Sequence, residues 1–194
     1  MMNLQSIDLV GVRAKLIPLD REHAEGLYRA ASNPEIWTYL PEKINSAEDA
    51  RNFIEKALIE KEKGTEIPFV VWDQETQSIV GSTRLINISK PNRNVEIGWT
   101  WYHPSVWRSR INTECKYLLL KHCFETMGTV RVQFCADKRN VRSNQAIQRL
   151  GAVKEGELRR HRILNDGYIR DTCVYSIVDQ EWPQIKLRLE SYLG

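Results

Sequence analysis

Asn140 and Ser143 stand three residues apart, just ahead of the amphipathic run 144–150 that Gly151 closes. Ser143 can cap that short helix, and a hydroxyl at a helix N-terminus can still point into a cleft. A second chemically capable segment is His103–Thr113, reading HPSVWRSRINT, between the end of a strand and the start of a helix. Free backbone N–H groups and the positive end of a helix dipole make such a loop a place for phosphate. Glu96 lies on the strand VEIGW, where period-2 alternation puts it on one face with Gly98 and Thr100, opposite Val95, Ile97, Trp99 and Trp101. A carboxylate sharing a face with a glycine can line a cleft. His161 titrates near working pH but stands in the stretch Arg159-Arg160-His161-Arg162, whose charges bias its protonation state. The chemistry these groups offer is anion binding at a helix start and proton transfer by a carboxylate and a hydroxyl.

The elements that must position them follow from pattern. Residues 12–19 read as a strand, and Asp20 caps a helix that Asn33-Pro34 stops near Ser32. Ser46 with Asp49 three residues on starts the next helix. Ala50, Phe53, Ile54, Ala57 and Leu58 give it one apolar stripe, and Gly64 ends it. Between the helices Trp37, Tyr39 and Leu40 form an aromatic connector, either a lip for substrate or a packed link. Strands over 67–72, 79–89 and 95–102, separated by turn-rich spacers, form a meander. A helix over 112–127, apolar round most of its circumference, leads to a strand over 130–136, so 95–136 is a right-handed parallel crossover. A hairpin follows, with arms 153–164 and 168–178 around Asn165-Asp166-Gly167. The run 179–193 is a final helix, with Pro183 in its first turn.

Composition narrows the class. The 194 residues are 42% hydrophobic and 27% charged, with a net charge of +3, which is globular and argues against a dedicated nucleic-acid binder. The start, MMNLQSIDLVG, has neither a charged leader nor an apolar core, so no signal peptide is expected. No window approaches the ~18 apolar residues of a membrane span. Cys115, Cys123, Cys135 and Cys173 form no metal-binding spacing. Cys115 and Cys123 lie about 12 Å apart along one helix, too far to bridge. Reduced thiols in a cytoplasmic protein are expected.

The strand–loop–helix–strand unit ending in Asn-x-x-Ser and a two-turn helix resembles the cofactor core of the GNAT acetyl-CoA-dependent N-acetyltransferases, closest to the RimJ/RimL-like ribosomal-protein branch. The likeness covers nearly the whole chain and implies one acetyltransferase domain over 1–194 carrying a C-terminal helix at about 179–193. It implies a mixed α/β sheet of about seven strands with helices on both faces. It implies acetyl-CoA as co-substrate and no metal. Backbone of Trp101, Tyr102 and His103 would align the pantetheine, and Trp107, Arg108, Ser109, Arg110, Ile111, Asn112 and Thr113 would hold the pyrophosphate. Asn140 would contact the pantetheine arm, Ser143 would lie near the thioester sulfur as proton donor with Tyr175 as runner-up, and Glu96 would be the catalytic or water-holding carboxylate.

One departure stands out: Arg108 and Arg110 occupy the two positions where relatives carry glycine. If those backbones need positive φ, each side chain costs roughly 1–2 kcal/mol; if not, the guanidiniums add charge-assisted phosphate contacts. The resemblance favours a protein or peptide N-terminal α-amine as acceptor and leaves a homodimer open. At pH 7 an α-amine of pKa ~7.8 is roughly one-seventh neutral, and a lysine of pKa ~10.4 about one part in 2,500, so weak base assistance suits the α-amine. Polyamines, aminoglycosides and other small amines are rival acceptors. A degenerate domain that binds CoA or another anion without turnover is the rival from a different class.

Overall fold

The computed structural model describes residues 2–164 and 166–194; Asn165, in the expected hairpin turn, lies outside them. One sheet of eight strands runs in the order β1-β2-β3-β4-β5-β6-β8-β7. Its strands are β1 (Leu9–Val10), β2 (Ala14–Pro18), β3 (Ile67–Asp73), β4 (Ser78–Ser89), β5 (Asn94–Tyr102), β6 (Arg131–Asp137), β7 (Val153–Ile163) and β8 (Ile169–Val178). The strand beyond the seven expected is β1, a two-residue piece antiparallel to β2. The Glu114 carboxylate holds the intervening turn by accepting from the backbone N–H groups of Val12, Arg13 and Ala14. Nothing in the local pattern announces a strand made by so distant a side chain.

Two helical layers sandwich the sheet. α1 (Ala24–Ala30) and α2 (Ala47–Glu62) pack on one face through Leu27, Phe53, Ile54 and Ala57. As expected, Ser46 caps α2 by accepting from Asp49 N–H at 3.0 Å. α3 (Ile111–Lys121), α4 (Val141–Leu150) and α5 (Trp182–Leu193) pack on the other face. α3 continues as a π-helical turn, His122–Met127, to Gly128, whose φ of +71° ends it. α5 begins at Trp182 rather than at 179, with Pro183 in its first turn.

Two features set the cleft. β5 and β6 are parallel, yet they pair only at Asn94 with Arg131, Val95 with Val132 and Glu96 with Gln133. Beyond Glu96 they part, so residues 97–102 of β5 and 134–137 of β6 form the arms of a V. The second feature is a bulge: Trp99 has φ +50°, and the β4–β5 register shifts between Ser82 and Arg84. Simple alternation therefore fails along β5. Val95 and Ile97 face α3, whereas Trp99 and Trp101 face α1 and α2, on the same side as Glu96 and Gly98. Thr100 turns instead towards α3, where its hydroxyl meets Lys116 Nζ at 2.6 Å.

The α1–α2 layer ends at β5. On β6, Val132, Phe134 and Ala136 enter the core, so Arg131, Gln133, Cys135 and Asp137 line the opposite face. Arg170, Thr172 and Ser176 of β8 continue that polar row. Among the described residues no helix is long and apolar enough to cross a membrane.

Candidate active site

The loop between β5 and α3 is ordered by its own side chains. His103 Nδ1 accepts from Ser105 N–H at 3.2 Å and meets Ser105 Oγ at 2.8 Å, closing a 3-10 turn over Pro104–Val106. Ser109 Oγ donates to the Val106 carbonyl at 2.6 Å and accepts from Ile111 N–H at 3.3 Å. The Trp107 indole N–H donates to the Tyr102 carbonyl at 2.8 Å, tying the loop to the end of β5. Arg108 has φ +60°, so the backbone does need a left-handed residue there, and the side chain costs roughly 1–2 kcal/mol. Arg110 has φ −70° and needs no glycine.

The two arginines also differ in what they touch. Arg110 donates to the Tyr192 and Leu193 carbonyls at the C-terminal end of α5, where the helix dipole favours a cation. The sequence reading, a phosphate contact, misses this tether because α5 lies far away in the chain. Arg108 is exposed, and no hydrogen bond from its side chain exists among the described residues. Around it opens a cavity of about 380 Å³, lined by Arg108, Ser109, Arg110, Thr113 and Arg149 with Tyr192 of α5. Ile111 is buried in the core, while Asn112 and Thr113 are half-buried in the first turn of α3. The N-cap residue offers no side-chain hydrogen bond to that turn. Three guanidiniums beside a helix start whose first N–H alone meets a side chain, Ser109 Oγ, give this cavity the chemistry to suit an anion.

On the other arm of the V, the sequence reading of Ser143 as cap is corrected. The cap of α4 is Asn140, whose Oδ1 accepts from Ser143 N–H at 3.0 Å, and the helix begins at Val141. Asn ranks with Ser as a cap, and the turn formed by Asp137 decides between them: Asp137 accepts from Arg139 N–H at 2.9 Å. Ser143 thus sits in the first turn with no hydrogen bond to its hydroxyl among the described residues. Tyr175 is in the opposite situation. Only 1% exposed, it donates to Asn144 Oδ1 at 2.7 Å, and Asn144 Nδ2 donates in turn to the Asp137 and Asn140 carbonyls, both at 2.8 Å. Tyr175 pins α4 to the sheet, and burial raises its pKa.

Glu96 sits where the strands part, 6% exposed. Its Oε2 accepts from Asn87 Nδ2 at 3.1 Å and Gln133 Nε2 at 3.0 Å, while Oε1 lies beside the bare Cα of Gly98. The carboxylate is held rigidly with one oxygen left for a water or an amine. His161, on β7, has its pKa lowered by burial and then by Arg162 and Arg170.

The aromatic connector divides. Trp37 is buried, its indole N–H donating to the Ala31 carbonyl at 3.1 Å and its ring 5.2 Å from that of Trp101. Tyr39 and Leu40 are half-buried, and Tyr39 faces the Arg139 guanidinium at 5.6 Å. Trp101 is buried in the same cluster, and Tyr102 and His103 are half-buried where β5 enters the loop.

Several contacts are not legible in the sequence. Arg142 stacks on Trp107 at 3.8 Å, bridging α4 and the loop across the V. Arg139 holds Asp137 in a two-nitrogen ion pair and stacks on Tyr168 at 3.4 Å. Lys116 is 6% exposed and has no carboxylate partner among the described residues, and burial lowers its pKa to about 7. A signal for Lys116 did exist: it stands four residues before Leu120 and seven before Cys123 on a buried stripe.

A family model described as an acetyltransferase (GNAT) domain matches residues 13–153. The uncharacterized N-acetyltransferase YoaA of Bacillus subtilis (strain 168) is 29% identical over 160 residues, covering 81% of this chain and 88% of that protein. The ribosomal-protein-serine acetyltransferase of Escherichia coli (strain K12) is 23% identical over 163 residues, covering 82% and 89%. The crystal structure of a GCN5-related N-acetyltransferase from Brucella melitensis superposes with a TM-score of 0.91 at 26% identity, covering 98% of this chain and 86% of that one.

Proposed function

The chain belongs to the GNAT acetyltransferase family, and from that premise we propose that it acetylates the α-amine at a protein or peptide N-terminus, by direct attack on acetyl-CoA in a ternary complex. The observation that carries this reading is Glu96, a carboxylate held by two amide side chains at the point where β5 and β6 part. Its free oxygen suits a water relay, which is enough for an amine already partly neutral at pH 7. The name of the E. coli relative, a ribosomal-protein-serine acetyltransferase, supports a protein acceptor.

In this mechanism the pantetheine lies along the edge of residues 97–102 that β6 leaves without a strand partner, and the pyrophosphate lies in the arginine-lined cavity at the start of α3. The amine nitrogen attacks the thioester carbonyl and loses its proton through water to Glu96. A backbone N–H near Tyr102 steadies the oxyanion. The C–S bond then breaks, and the leaving thiolate takes its proton from Ser143, which recovers one from solvent. Ser143 suits this role better than Tyr175 because Asn140 has taken over the capping and left the Ser143 hydroxyl unengaged. Tyr39 and Leu40 border the acceptor, with Trp37 supporting them from the core. Residues 1–194 act as one catalytic unit in the cytoplasm in this reading.

The test is thiol release from acetyl-CoA against peptides, polyamines and aminoglycosides. Peptides with free N-termini should be the best acceptors, and Ser143→Ala should lower turnover ~10²-fold or more. Release with small amines alone would contradict the α-amine assignment. No release with any amine, together with tight CoA binding, would make the domain a binder.

A further inference from the structure

The polar face beyond Glu96 contains a buried cation that no mechanism step uses. Arg170, on β8, is 7% exposed, and none of its side-chain nitrogens has a hydrogen-bond or ion-pair partner among the described residues; its Nε is fully buried and unsatisfied. Arg162 lies directly opposite in the β7–β8 register and is likewise without an ion pair among the described residues. Both guanidiniums lie close enough to Cys135 to act on its thiol, as does Glu96, so the three charges share one patch of the sheet. Asp137, the carboxylate that acts most strongly on Arg170, is already engaged by Arg139 at 2.8 and 3.2 Å. Glu96 is committed through Oε2 to Asn87 and Gln133.

A desolvated guanidinium that feels Asp137 and Glu96 only at a distance, with no hydrogen-bonded counter-ion of its own, is unfavourable in the free protein. It becomes favourable when a ligand brings the missing anion, and the planar fork of an arginine matches a carboxylate best. We infer that Arg170, with Arg162 beside it, receives a carboxylate of the acceptor, so that the preferred amine belongs to a molecule bearing an acidic group close to that amine. Resting on the proposed α-amine transfer, the inference narrows it to acceptors with Asp or Glu at the first or second residue. Arg139, stacked between Tyr168 and Tyr39, then forms the wall beside the incoming chain.

The experiment compares kcat/KM for peptides identical except for Glu or Gln at the first residue and Asp or Asn at the second, with free glutamate and glutamine as further arms. The acidic member of at least one pair should be preferred about 10- to 100-fold. That ratio should collapse towards one in Arg170→Gln and recover in part in Arg170→Lys. Arg162→Gln, at the edge of the sheet, should reduce the same ratio and serves if Arg170→Gln fails to fold. Equal kcat/KM within every pair, or a preference that survives Arg170→Gln, overturns the inference while leaving α-amine transfer standing. A preference for free glutamate over every peptide upholds the carboxylate site and overturns the peptide acceptor. If no amine is turned over, calorimetry with peptides already acetylated on Glu or Gln decides: tighter binding of the Glu peptide upholds the site, and equal binding overturns it.

Discussion

The two halves of the cleft are built in different ways. The half proposed for the cofactor is made largely of backbone: a loop held by His103, Ser105 and Ser109, and a helix start whose N-cap residue offers it no side-chain hydrogen bond. It tolerates Arg108 at a left-handed position because the loop's shape is fixed on both sides of that residue. The half proposed for the acceptor is made of side chains, with Glu96, Gln133, Asp137 and Arg170 on one face of β5, β6 and β8 and Arg139 just beyond the end of β6. They face the cleft by strand alternation and by where the α1–α2 layer stops, while the bulge at Trp99 turns Trp99 and Trp101 to the same side. A site made of backbone survives substitution; a site made of side chains depends on each identity.

Substitutions in each half test this contrast. The largest effect is expected from Glu96→Gln, which keeps the shape and removes the proton acceptor: kcat should fall ~10²-fold or more with CoA affinity unchanged. A kcat within threefold of the parent would place the chemistry elsewhere.

Lys116, under the cofactor half, should act on stability instead. Its pKa falls from 10.5 to about 7 on folding. Between those values the unfolded chain holds a proton that the folded chain has lost, so stability rises with pH across that window and the benefit is absent below pH 7. Lys116→Met should remove up to ~1.4 kcal/mol per pH unit of that slope. Urea midpoints at pH 7 and 9 measure it, and an identical pH dependence in parent and variant would contradict it.

Tyr175→Phe should cost about 1–3 kcal/mol by leaving Asn144 Oδ1 without its buried donor, with kcat changed only a few-fold. A hundredfold loss of kcat at unchanged stability would return Tyr175 to the proton-donor role. The smallest effect is expected from Arg108→Gly. Thermal unfolding should show a gain of about 1 kcal/mol from relieved strain, and calorimetry a less than tenfold loss of CoA affinity with a weaker salt dependence. A gain in affinity would mean that strain, rather than charge, dominates there.

The same contrast explains what could be read from sequence. The order of strands and helices, the parallel crossover and the phosphate-type loop follow from local periodicity and caps, and these fix the backbone-built half. The side-chain half was read only in part. Periodicity puts Glu96 on its strand, but it inverts the faces of Trp99 and Trp101 because a single positive φ reverses alternation after it. Ser143 reads as the cap that Asn140 takes, since two good caps stand three residues apart and tertiary context chooses. The tether from Arg110 to the carbonyls at the end of α5 is illegible in sequence because those residues stand more than eighty positions away. Arg139, Arg142 and Arg170 carry no periodic signal, because their partners are set by where strands end.

The central claim, that this acetyltransferase acts on α-amines, is tested most directly by mapping the acetylated nitrogen by mass spectrometry. The substrate is one peptide carrying both a free N-terminus and an internal lysine, incubated with acetyl-CoA at pH 7. The account predicts acetyl on the N-terminal nitrogen alone at early times; acetyl on the lysine nitrogen, with the N-terminus untouched, would contradict it.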